Sequence, residues 1–171
     1  QRSLVNTFIF TFVSVGLVLV LAHVLAEVLI REFRGKWIVR FLIMLPWTAP
    51  IALGTVGFLW FMDSVFSPLD WLLRSWGLLG RPGALLGPMS NMYWLARPGL
   101  AMASVILVHV WRLLPLGTVI LIAGMNSIPR EIGEAAQVDG AGYFRRLFHI
   151  NLPLLFPVIG VTVLFAVFFT F

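Results

Sequence analysis

An all-α, polytopic transmembrane helical bundle is predicted by three features of the sequence. Hydrophobic residues make up 60% of the chain, charged residues only 11%, and the apolar residues gather in four long runs. The mean hydropathy is +0.99, and the apolar share exceeds the roughly 45–50% of soluble domains. The runs cover 4–30, 41–62, 99–128 and 154–171, and a helix needs about 20 apolar residues to cross about 30 Å of hydrocarbon. Barrel strands would instead alternate apolar and polar residues over about 10 positions, whereas 41–62 is almost continuously apolar.

The first run, 4–30, is too long for a signal-peptide core of about 7–15 residues. It ends in a loop carrying Arg31, Arg34, Lys36 and Arg40 around the single acid Glu32. Basic residues near span ends mark the cytoplasmic side, so this loop is expected inside and the N-terminus outside. The second run, 41–62, then crosses outward and contains Pro46, Pro50, Gly54 and Gly57. Pro46, Pro50 and Pro115 are expected to bend their helices, and the two glycines lack the four-residue spacing of a strong helix-pairing face.

Segment 63–98 is expected outside, with Trp71, Trp76, Tyr93 and Trp94 among Pro and Gly breakers, a pattern suited to the headgroup level. A short amphipathic stretch over 68–79 is expected on the membrane surface. Run 99–128 returns to the inside, where 129–153 carries Arg130, Arg145 and Arg146. Run 154–171 leads outward again. The chain starts with Gln1 rather than Met and stops at Phe171 inside an uncharged run, so one membrane domain over 1–171, truncated at both ends, is expected.

The composition also excludes several classes. There is no cysteine for a disulfide or thiolate site, and His23, His109 and His149 are too far apart in sequence to suggest a metal cluster. The net charge of +5 comes from basic residues scattered in short loops, which points to lipid headgroups rather than nucleic acid. No GxxxxGK[ST], HExxH or GxSxG pattern occurs, so no catalytic residue and no resident cofactor are assigned.

Segment 129–153 reads PREIGEAAQVDGAGYFRRLFHINLP. Ser127 and Pro129 can start a helix, with Glu131 and Glu134 near its positive end. Gly140 is suited to a left-handed stop, and a second helix is expected over 141–150, with Pro153 preventing its simple continuation into the last span. That helix would place Tyr143, Phe144, Leu147 and Phe148 opposite Arg145, Arg146 and His149, as an interfacial helix does. Small residues Ala135, Ala136, Gly140, Ala141 and Gly142 would let another protein approach the backbone.

Glu134, Ala135, Ala136, Gly140, Ile150, Leu152 and Pro153 fill every fixed position of the pattern EAA-x3-G-x9-I-x-LP. In this the chain resembles the permeases of ABC importers. Leu45-Pro46-Trp47, the WRLLP of 111–115 and the AGMNSIP of 123–129 are similar to the carbohydrate branch, which includes maltose and glycerol-phosphate permeases. The resemblance implies part of the type I importer permease fold. It also implies that 134–140, Asp139 included, contacts a separate ATPase that uses ATP and Mg, and that this chain binds neither. Further implied partners are a second permease subunit and an extracellular or periplasmic solute-binding protein, around a multi-pass protein of the bacterial inner membrane. A sugar or sugar-like polyol is the expected solute, with glycerol phosphate, amino acids or peptides as alternatives.

His109 and Arg112 stand inside an apolar run beside Trp111, where an ionisable group costs about 2.5–3.5 kcal/mol on insertion scales. Either they line a solute pathway, or Arg112 pairs with a carboxylate or snorkels. His23 and Glu27, four apart, share a helix face and read as interfacially solvated groups or a proton relay. A secondary transporter or channel driven by an ion gradient is the rival from another class, motivated by the kinked spans; an intramembrane enzyme would need more converging polar groups than the spans offer.

Overall fold

The computed structural model describes residues 2–171, and every regular element among them is helical. The elements are α1 (Arg2–Ile30), α2 (Lys36–Thr48), α3 (Ile51–Phe61), α4 (Pro68–Ser75), α5 (Pro98–Asn126), α6 (Arg130–Val138), α7 (Tyr143–Arg146) and α8 (Leu152–Thr170), with a π-helical turn, Leu147–Asn151, joining α7 to α8. Among the described residues three helical stretches are long and apolar enough to cross a membrane: Arg2–Ile30, Pro98–Asn126 and Tyr143–Thr170. α2 and α3 make a fourth if counted as one broken span. The break falls at Ala49 and Pro50 because proline lacks an N–H and disfavours the α conformation in the residue before it. Pro46 and Pro115, by contrast, lie inside α2 and α5.

The chain forms two compact units, one of residues up to Trp47 together with Val110–Phe171, the other Thr48–His109. In the first, α1 packs against α8. The buried residues of α1, Ser14, Val18, Ala22, Ala26 and Leu29 among them, recur mostly at three- and four-residue steps and form one stripe. Leu4, Phe8, Phe12, Val20 and Val24 are exposed, the face left for lipid. Ala22, Ala26 and Leu121 form one cluster of the core, with Leu114, Met125, Val158 and Ile159 packed against it.

Small residues set how closely these helices approach, since lipid removes the hydrophobic drive between spans and leaves packing to hold them. A Cβ on Gly117 would lie 3.2 Å from Ala22 Cβ and Val18 Cγ1, and one on Gly124 only 2.7 Å from Val158 Cγ1. Gly54 and Gly57 meet nothing within 4 Å. Two buried hydroxyls are satisfied within their own helices: Thr118 Oγ1 donates to the Leu114 carbonyl at 2.7 Å and Thr162 Oγ1 to that of Val158 at 2.9 Å.

The second unit is organised by polar side chains. Ser67 caps α4, accepting from Asp70 N at 3.1 Å, with Pro68 next in the first turn. Asp70 is buried, and its carboxylate accepts from Met92 N at 3.1 Å and Trp94 Nε1 at 2.8 Å. Arg74 donates to the Ser90 carbonyl at 2.6 Å and to Asn91 Oδ1 at 2.9 Å, and Asn91 Nδ2 donates to the Ser64 carbonyl at 2.8 Å. At the start of the segment, the backbone N–H groups of Phe66 and Val65 bond to Asp63 and hold its carboxyl below the usual range. Of the four aromatics expected at headgroup level, Trp71, Trp76 and Tyr93 are exposed, whereas Trp94 is turned onto Asp70.

Gly124→Ala should destabilise the detergent-solubilised protein by about 1–3 kcal/mol, because the stiff Val158 cannot withdraw freely; Gly54→Ala should be neutral or stabilising by about 0.5–1 kcal/mol. Thermal unfolding of both variants checks the contrast. Asp70→Ala strands two donors and should cost about 1–3 kcal/mol, seen as faster proteolysis within 63–98 and altered tryptophan emission.

Candidate functional site

Segment 129–153 forms two short helices separated by a bend. Ser127 does not start α6: its hydroxyl donates to the Gly124 carbonyl at 2.7 Å and closes the end of α5 instead. The residue before α6 is Pro129, which offers no side-chain cap, and Glu131 lies in the first turn, where a negative charge complements the helix dipole.

The far end of α6 closes as a Schellman motif. Ala141 N donates to the Ala136 carbonyl at 2.9 Å and Gly140 N to that of Gln137 at 3.0 Å. This geometry needs a left-handed residue after the cap, and Gly140 has φ +74°. Only glycine adopts that conformation at little cost.

Glu134, Ala135, Asp139 and Gly140 are exposed, and of this group only Ala136 is buried. Val138 on the same helix is 89% exposed. A Cβ on Gly133, Gly140 or Gly142 would meet nothing within 4 Å, so the backbone around the bend is open to another surface. Ile150 and Leu152 are half-buried and Pro153 is exposed.

Pro153 does not interrupt the chain between the second short helix and the last span. Helix runs continuously from Tyr143 to Thr170, because the turn just before the proline widens to π geometry, with Leu152 N donating to the Leu147 carbonyl. Without an N–H, Pro153 cannot bond to the His149 carbonyl, and its ring crowds that group. A π turn, rare and found mostly as a single turn inside α-helices, lies directly before the ring. The helix, expected not to continue simply past Pro153, continues through a local change of helical pitch.

Tyr143 opens the second helix, and its ring meets Phe144 edge-on with centroids 5.3 Å apart. Its hydroxyl donates to Glu27 Oε2 of α1. The other oxygen of Glu27 lies 3.6 Å from His23 Nε2, the pair expected from their four-residue spacing. Beside Glu27 and Tyr143 opens a cavity of about 360 Å³, also lined by Arg31, Arg130, Gly133 and Asn151. Nothing local in the sequence announces the Glu27–Tyr143 contact, which joins residues 116 positions apart.

His109, Trp111 and Arg112 all lie on α5. His109 and Arg112 are half-buried, and Trp111 is 38% exposed. The three-residue spacing puts His109 and Arg112 on one side of the helix, with Trp111 turned away from it.

The chain matches the family described as binding-protein-dependent transport system inner membrane component over residues 18–171. It is 33% identical over 158 residues to the trehalose/maltose transport system permease protein MalF of Thermococcus litoralis, covering 91% of this chain and 49% of that protein. It is 31% identical over 160 residues to the sulfoquinovosyl glycerol transport system permease protein SmoG of Agrobacterium fabrum, covering 94% and 48%. To the sn-glycerol-3-phosphate transport system permease protein UgpA of Yersinia enterocolitica it is 34% identical over 173 residues, covering 99% and 55%. The chain thus spans about half the length of the curated relatives it matches. Its fold is similar to a chain of a bacterial ABC transporter involved in the import of the acidic polysaccharide alginate, with a TM-score of 0.77, 21% identity, and coverage of 94% of this chain and 53% of that one. On the family match across most of its length, this chain belongs to the inner membrane components of binding-protein-dependent transport systems.

Proposed function

We propose that this chain is part of the permease subunit of an ATP-binding-cassette importer, and that it moves a sugar or sugar-like polyol across the cytoplasmic membrane by alternating access. One observation carries the reading: an exposed helix, α6, ends at a glycine-closed bend and leads into a helix continuous with the last span. A partner pressing on α6 has a route into the membrane through packed helix rather than flexible loop. That partner is a separate ATPase, which supplies the ATP and Mg chemistry. A second permease subunit would complete the pathway, and a solute-binding protein would deliver solute; a similar alginate transporter is known in complex with a pentasaccharide-bound periplasmic protein.

The sugar assignment follows the names of the maltose and sulfoquinovosyl glycerol relatives. Glycerol phosphate is the second reading, favoured by the 34% identity to a glycerol-phosphate permease. Along α5 the half-buried Arg112 is our candidate for contact with solute, together with His109 and Trp111, because a cation within an apolar span faces protein or water rather than lipid.

Gly140→Asp, in the whole permease with its ATPase and binding protein, should lower solute uptake at least about tenfold, which equals about 1.4 kcal/mol of lost coupling. The permease should still insert in normal amounts. Gly140→Asn tolerates the left-handed backbone without adding charge and should lose less. Unchanged uptake together with unchanged stimulation of ATP hydrolysis in Gly140→Asp would refute the assignment.

A further inference from the structure

We infer that Glu27 and Tyr143 are positioning residues that latch the docking loop to the first span, so that force applied to α6 reaches α1 as well as α8. The inference rests on the proposed coupling to an ATPase and adds a second route to it.

The bend between α6 and α7 contains Gly140 and Gly142, whose backbones have no neighbour within 4 Å of a Cβ position. Left alone, the helix beyond this bend would carry a push on α6 into α8 only. Tyr143 is the first residue beyond it, and its hydroxyl donates to Glu27 Oε2. The receiving helix is firmly held: Ala26 is fully buried and Leu29 nearly so on either side of Glu27. His23 Nε2 lies 3.6 Å from the remaining carboxylate oxygen, so both oxygens of Glu27 have a polar neighbour.

The contact is suited to this task for chemical reasons. A hydrogen bond from a neutral hydroxyl to a carboxylate is shorter and about twice as strong as one between neutral groups, and it fixes direction as well as distance. Tyr143 brings a rigid ring with few rotatable bonds, so little motion is lost between its backbone and its hydroxyl. Phe144 meets that ring edge-on, which narrows its range further. The loop is thereby fastened at two places: through the covalent π turn into α8, and through the Tyr143 hydroxyl onto α1.

The test uses the full-length permease reconstituted in liposomes with its ATPase and solute-binding protein, and reads the ATP hydrolysed per solute imported. Tyr143→Phe keeps the ring and removes only the donor. It should leave assembly with the ATPase and basal hydrolysis unchanged while ATP used per solute rises about tenfold, the loss of one charge-assisted hydrogen bond. Glu27→Ala should do the same, and adding Tyr143→Phe to it should make little further difference, because the two residues act through one contact. Normal ATP use per solute in Tyr143→Phe, or full additivity of the two changes, would overturn the latch. Failure of the wild-type permease to recruit an ATPase would instead refute the coupling reading itself, so the two failures are distinct.

Discussion

A proline inside a helix removes one backbone donor and crowds one backbone acceptor, and both must be dealt with where lipid offers no substitute. At Pro153 the chain widens one turn to π geometry, Leu147–Asn151, and the helix passes through. Any motion passed from α6 to the last span depends on this continuity. Had the chain broken at Pro153, α6 and its bend would hang from a flexible joint, and nothing done to them would be felt reliably by the last span.

Continuity at the border would be wasted without tight packing inside. Lipid tails are as apolar as leucine, so helices associate where small residues let backbones approach. Ala22 and Ala26 of α1 and Gly117 and Gly124 of α5 supply that approach, with Val158 and Thr162 of α8 packed against the two glycines. Packed helices of this kind move as units between discrete arrangements rather than deforming gradually. Segment 63–98 solves a different problem, irregular backbone without regular pairing, by gathering peptide groups around Asp70, Arg74 and Asn91.

Much of this was legible in the sequence because it depends on local properties. Run length and apolarity identify α1 and α5 to within a few residues, and Gly140 announces its left-handed role because few other residues fill it. Pro50 and Pro153 look alike in sequence yet act differently. Pro50 follows the end of a helix, while Pro153 is passed through a π turn, and nothing in the proline itself separates the two. The close-packing glycines were not legible either: Gly54 and Gly57 drew notice by proximity, but the contacts are made by Gly117 and Gly124. Whether a glycine faces a neighbour is decided by helix rotation, which a uniformly apolar run does not record. The Asp70 and Glu27 contacts join residues far apart in sequence, so periodicity carries no trace of them.

Site-specific photo-cross-linking from position 138 addresses the central claim most directly, since Val138 is among the most exposed residues of α6. A photoreactive residue there, in the intact transporter, should form its dominant product with the nucleotide-hydrolysing subunit, and the yield should change when ATP is bound. Products with lipid alone, or labelling of that position only from the outer face of the membrane, would contradict the account.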